Sequence, residues 1–171
     1  MNARKITLIA VLTSIAIVLS ILDGMIPSFI PGMKLGLANI CILITLYALG
    51  TKEAILVNLM RVYLAGLLRG TIFNMGFLMS LSGAFFSLLI MIIMKYALKK
   101  ISLITVSIVG AIFHSVGQII IAVIYLGTNA MFYYLPILAL VSVVTGILTG
   151  IIAKKIIDSK IIQKQRDKYG F

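Results

Sequence analysis

Arg61 stands eight residues from Glu53 and eight from Arg69, inside an otherwise apolar stretch. On a helix that places it about 12 Å from either charged end. Asn58, Arg61, Ala65 and Arg69 recur at helical spacing and share one stripe. A second stripe carries His114, Gln118, Ala122 and Tyr125. Lys34 and Asn39 lie upstream of both. Hydrogen-bond donors predominate in this set. The chemistry it suits is recognition of a small ligand with an anionic or carbonyl-rich group.

Each of these residues has a plainer reading. Arg61 either bonds carbonyls or an amide and fixes packing, or it meets an anionic ligand group. No acid falls inside an apolar run to neutralise it, which favours the ligand. His114 is either an interhelical hydrogen-bond partner or part of a pocket wall. It is the single histidine, so it is not read as a metal site. Cys41 is the single cysteine, which excludes an intrachain disulfide, and it reads as a small buried hydrophobe. No nucleophile-base-acid set stands out, and no Gly-x-x-x-x-Gly-Lys-Ser/Thr loop is present for ATP. The chain therefore reads as no enzyme and as needing no cofactor.

The elements that must position these side chains are six apolar runs. They cover about 6–22, 35–49, 54–68, 76–94, 101–126 and 132–153. An apolar helix of about 20 residues crosses a hydrocarbon core, and helices satisfy their own backbone there. Hydrophobic residues make up 62% of the chain and charged ones 11%, with mean hydropathy +1.21. A water-facing surface cannot be covered with so few charges. The expectation is an all-α membrane protein of six transmembrane helices, with residues 1–171 forming one integral domain. The first run lacks a clear cleavage site and reads as a retained helix.

The net charge of +11 does not point to nucleic acid, because the basic residues sit at membrane borders. Twelve of them fall on one side: Arg4, Lys5, Lys52, Lys95, Lys99, Lys100, Lys154, Lys155, Lys160, Lys164, Arg166 and Lys168. Only Lys34 and Arg69 fall on the other. The positive-inside rule then places both termini in the cytoplasm, in the cell membrane. The stretch 154–171 is a basic tail that anchors the last helix end. In this orientation Lys34, Asn39, Arg61, Arg69, His114 and Gln118 all reach the outer half of one cavity. The outer loop 23–33, with Met25, Ile26, Phe29 and Ile30, is either a lid over it or a loop resting on lipid.

Small residues form two seams. Ser142, Gly146, Gly150 and Ala153 line one face of the sixth run, and Ala10 and Ser14 line the first. Such seams let helices approach closely, within a bundle or between proteins.

Several stretches together resemble a known family. They are Pro31-Gly32-Met33-Lys34-Leu35-Gly36-Leu37-Ala38-Asn39, the segment from Arg61 to Gly70, Ser80 to Gly83, His114-x-x-Gly117-Gln118, and Tyr134-Leu135-Pro136 leading to Thr145-Gly146. The family is the Gx transporter family, also labelled heptaprenyl diphosphate synthase component I. It is similar to the substrate-binding S-components of energy-coupling factor transporters. The resemblance implies six helices, cytoplasmic termini, an outward pocket and a gating first loop. It also implies partners: a membrane T-component bearing two ATPases, docked on an Ala-x-x-x-Ala seam of the first helix. Ala10 and Ser14 match that seam, with serine replacing the second alanine. The implied role is uptake of a scarce nutrient, such as a quinone or isoprenoid precursor. Prenyl diphosphate chemistry itself needs Mg²⁺ held by carboxylates. Asp23, Glu53, Asp158 and Asp167 are scattered and unpaired in sequence, which argues against catalysis by this chain. A non-catalytic subunit of a synthase and a stand-alone transporter are the alternatives.

Overall fold

The computed structural model describes residues 3–25, 36–98 and 100–159. Those residues are helical throughout, apart from turns and short connections. The helices are α1 (Ala3–Met25), α2 (Asn39–Ala48), α3 (Thr51–Leu68), α4 (Met75–Ala97), α5 (Leu103–Leu126) and α6 (Leu135–Ile157). A short 3₁₀ helix, Asn129–Tyr134, leads into α6. Four segments are long and apolar enough to cross a bilayer: Lys5–Met25, Met75–Ala97, Leu103–Leu126 and Asn129–Ile157.

The expected six spans are thus corrected in two places. The run at 35–49 contains only a ten-residue helix. Ten residues rise about 15 Å, half of a hydrocarbon core. Gly36 turns the chain at φ 71° and α2 starts only at Asn39. The run at 54–68 does form the 18-residue α3, but Lys52, Glu53 and Arg61 keep it from being uniformly apolar. The other runs become helices with longer ends than expected. Most consequentially, α1 continues to Met25 and takes in Asp23.

Local sequence explains the helix boundaries. Ser102 caps α5, its hydroxyl accepting the Thr105 N–H at 3.1 Å. Gly127 ends α5 in the left-handed conformation, φ 65°, a position that costs glycine least. Gly50, at φ 124°, breaks the path between α2 and α3.

Side-chain contacts fix the relative directions. Lys5 pairs with Glu53 at 2.6 Å, and Arg69 Nη2 donates to the Gly24 carbonyl at 3.2 Å. Start meets start and end meets end, so α1 and α3 run parallel. Ser107 bonds Thr149 and Ser115 bonds Ser142, so α5 and α6 are antiparallel. Gly117 against Ser82 and Gly110 against Met91 make α4 and α5 antiparallel as well. The α4–α5 and α5–α6 contacts are the most extensive in the bundle.

One end of the bundle therefore gathers Lys5, Lys52, Lys95, Lys100, Lys154 and Lys155. There Lys95 Nζ donates to the Leu46 carbonyl at 2.6 Å, and the Thr51 and Tyr96 hydroxyls meet at 2.8 Å. Glu53 lies at this mouth. Burial raises its pKa, but the hydrogen bond and charge of Lys5 outweigh that, and it falls below the ordinary carboxylate value.

The main apolar core lies in the same half. It joins α2 to Ile9 and Ala16 of α1, Val57 of α3, Met91 of α4, Val106 of α5 and Ala153 of α6. Nine of the ten α2 residues are buried, since α2 touches α1, α3, α5 and α6. This short helix is a plug in the lysine-bearing half. Its first residue, Asn39, stops at the level of Arg61.

Candidate functional site

Three asparagine and arginine side chains meet at that level. Arg61 Nε donates to Asn58 Oδ1 at 3.0 Å, and Arg61 Nη2 donates to Asn39 Oδ1 at 3.2 Å. Asn58 Nδ2 donates in turn to the Ala84 carbonyl at 2.9 Å. All three residues are buried, Arg61 at 5% exposure. The guanidinium fork thus ties α2, α3 and, through Asn58, α4 into one junction. An arginine in this setting presents planar donors to oxygen acceptors.

The sequence placed no acid beside it, and the structure corrects this. Asp23 is inside α1 and 5% exposed. Its Oδ2 accepts the Leu37 N–H at 3.0 Å, just before α2 begins. Its charge is within electrostatic reach of Arg61. A sequence signal existed. Ile9, Thr13, Ala16 and Asp23 all fall on the buried face of α1, so one more helical turn carries the acid inward. Asp23-Gly24 read as a loop start only because both residues are common in turns.

His114 and Gln118 form a second buried pair, their Nε2 atoms 3.0 Å apart. With the Gln118 amide nitrogen facing the ring, His114 Nε2 accepts and the imidazole is neutral. Its ring packs on Gly83 of α4, where a Cβ would meet His114 Cε1 at 2.9 Å. The next residue, Ala84, holds Asn58. One turn of α4 therefore separates the two polar sets, with Arg61 on the α3 side and His114 on the α5 side. Ser87, a turn further along, has a buried hydroxyl with no hydrogen-bond partner among the described residues.

The other sequence candidates fall as follows. Asn39 and Arg61 are in direct contact. Ala65 is buried with them, whereas Arg69, at the end of the stripe, is exposed and rests on Gly24. Gln118 and Ala122 are buried, and Tyr125 points outward. Lys34 and most of the 23–33 loop lie outside the described residues. So do residues 160–171 of the basic tail. Ala10 and Ser14 are on an exposed face of α1, with the Ser14 hydroxyl donating to the Ala10 carbonyl at 3.0 Å. The Ser142–Ala153 seam is internal: Gly146 and Gly150 abut Ile108 and Ile104 of α5.

A cavity of about 580 Å³ lies between α3 and α4. That size falls within the range of about 300–1,000 Å³ usual for small-molecule pockets. Its wall is apolar, including Val62, Leu78, Leu88 and Ile121, with Asn58 and Ser82 as the polar exceptions. None of the six ligand-contact candidates from sequence lines it, yet Asn58 connects it to Arg61. Leu59, Leu81, Phe85 and Leu89 form its outward rim and are exposed, so it opens sideways, toward lipid if the helices span a bilayer.

Comparison with known proteins gives one match. The family model described as heptaprenyl diphosphate synthase component I covers residues 12–156. No curated protein and no solved structure matches the chain.

Proposed function

The chain belongs to the heptaprenyl diphosphate synthase component I family, and from that premise we propose that it is the substrate-binding membrane subunit of an energy-coupling factor type of uptake transporter. Its ligand is a small molecule with an anionic or carbonyl-rich head and an apolar body, such as a quinone or isoprenoid precursor. The observation that carries this reading is the buried Asn39–Asn58–Arg61 junction beside an apolar cavity. Arginine and amide groups inside a membrane bundle are costly to keep there, and recognition of a polar head is a reason to keep them.

In this reading both termini face the cytoplasm of a cell membrane, and Lys34, Asn39, Arg61, Arg69, His114 and Gln118 contact the ligand. The exposed Ala10–Ser14 face of α1 docks a T-component carrying two ATPases, which supply the energy. The chain itself catalyses nothing and needs no cofactor. A second reading, a non-catalytic membrane partner of a prenyl diphosphate synthase, is favoured by the family's description alone. Native mass spectrometry of the purified protein separates the two. A copurifying small amphiphile, with a T-component and ATPases in the pull-down, supports uptake. A soluble synthase subunit in the pull-down, without a bound small molecule, overturns it.

A further inference from the structure

We infer that Asp23 is the internal counter-ion of Arg61 and thereby reserves the junction for a neutral, carbonyl-bearing head group in place of an anion. This rests on the ligand-capture reading above and narrows its substrate class.

Asp23 and Arg61 are the two buried charged residues among those described. Their formal charges sum to zero. The Asp23 carboxylate is pinned by the Leu37 N–H at 3.0 Å. The turn that follows is tight, with Asn39 N donating to the Gly36 carbonyl at 2.9 Å and Ile40 N to the Leu37 carbonyl at 3.1 Å. It delivers the acid two residues from Asn39, the side chain that Arg61 grips at 3.2 Å. The start of α2 points its N–H groups at the same place, which further favours a carboxylate there.

An anionic ligand brought to Arg61 would add a second negative charge beside Asp23, in a setting that screens little. A carbonyl oxygen accepts from the guanidinium or an asparagine amide and leaves the charge balance intact. Arg69 does not reverse this, because it is exposed and already rests on the Gly24 carbonyl. The apolar wall beside Asn58 then takes the uncharged body of the ligand.

Two measurements on the purified full chain test the assignment. The first is a double-mutant cycle on the thermal unfolding midpoint, using Asp23→Asn, Arg61→Gln and the pair. Each single change is expected to lower the midpoint by several degrees, and the double variant to recover much of the loss. Additive losses overturn the pairing whatever the ligand. The second is calorimetric binding of naphthamide and naphthoate, which share an apolar body and differ in head-group charge. The wild type should prefer naphthamide by about tenfold or more, Asp23→Glu should keep that preference, and Asp23→Asn should shift it toward naphthoate. A wild type that prefers naphthoate, or a ratio that Asp23→Asn leaves unchanged, overturns the inference. Absence of binding by either probe counts against the ligand-capture reading beneath it, while the cycle still decides the pairing.

Discussion

At the scale of single residues, Arg61 does most to define this molecule. Its fork holds two asparagines from two helices, which no lysine does, since an ammonium is a compact point charge. Arg61→Ala should insert normally yet lose ligand binding, measured by calorimetry on the monodisperse protein. Unchanged affinity would remove Arg61 from the site. Arg61→Lys should retain part of the affinity, with a loss of about tenfold. Ser87 makes the opposite case. Its hydroxyl is buried without a partner, so Ser87→Ala should leave the melting midpoint unchanged or raise it, a gain of up to about 1 kcal/mol. A clear drop would mean that a water or ligand bonds that hydroxyl. The buried charge at Arg61 was legible in sequence, because an arginine amid apolar residues is conspicuous. Its partner Asp23 was not, because turn-forming composition disguised the last turn of a helix whose buried face continues through it.

At the scale of elements, the bundle is held by close approach more than by volume. Lipid is as apolar as the side chains, so helices in a membrane associate through packing and hydrogen bonds. Around Gly117 the α4 backbone comes so near that a Cβ would meet the Ser82 carbonyl oxygen at 2.8 Å and the Gly83 backbone at 3.0 Å. Backbone cannot rotate away as a side chain does. Gly117→Val should therefore part α4 from α5 and destabilise the fold by about 1–3 kcal/mol, read from the unfolding midpoint. The same shift would move His114 off Gly83, so ligand binding should weaken with it. The glycine seam on α6 was readable as internal, and it faces α5. The seam on α1 differs, since Ala10 and Ser14 face outward. Ser14→Leu should leave ligand affinity intact and impair uptake in cells, because it blocks docking without touching the interior; normal uptake would show that no partner uses that face. The half-length α2 was not legible. The run 35–49 is apolar over its whole length, and hydropathy does not register that the helix begins only after the Gly36 turn.

At the scale of the whole molecule, the two ends differ in chemistry. One carries Lys5, Lys52, Lys95, Lys100, Lys154 and Lys155. The other carries Arg69 and an exposed aromatic group, Tyr125, Phe132, Tyr133 and Tyr134, with Phe73 nearby in sequence to Arg69. Aromatic rings of this kind favour the membrane-water boundary, and lysines favour the cytoplasmic side. The sequence and the packed helices agree on this polarity, because helix directions bring sequence-distant lysines together. It follows that Thr128, between α5 and the 3₁₀ helix, lies outside, and Ser159, just past α6, lies inside. The native Cys41 suits a labelling test, being 2% exposed in the core and thus a poor target for a polar reagent. In intact cells, Thr128→Cys should react with a membrane-impermeant maleimide, and Ser159→Cys should react only after permeabilisation. The reverse pattern would put the lysines outside. The plug α2 would then close the outer half of the bundle, the Arg61 junction would open toward the cytoplasm, and a nutrient arriving from outside could not reach it without crossing the membrane first.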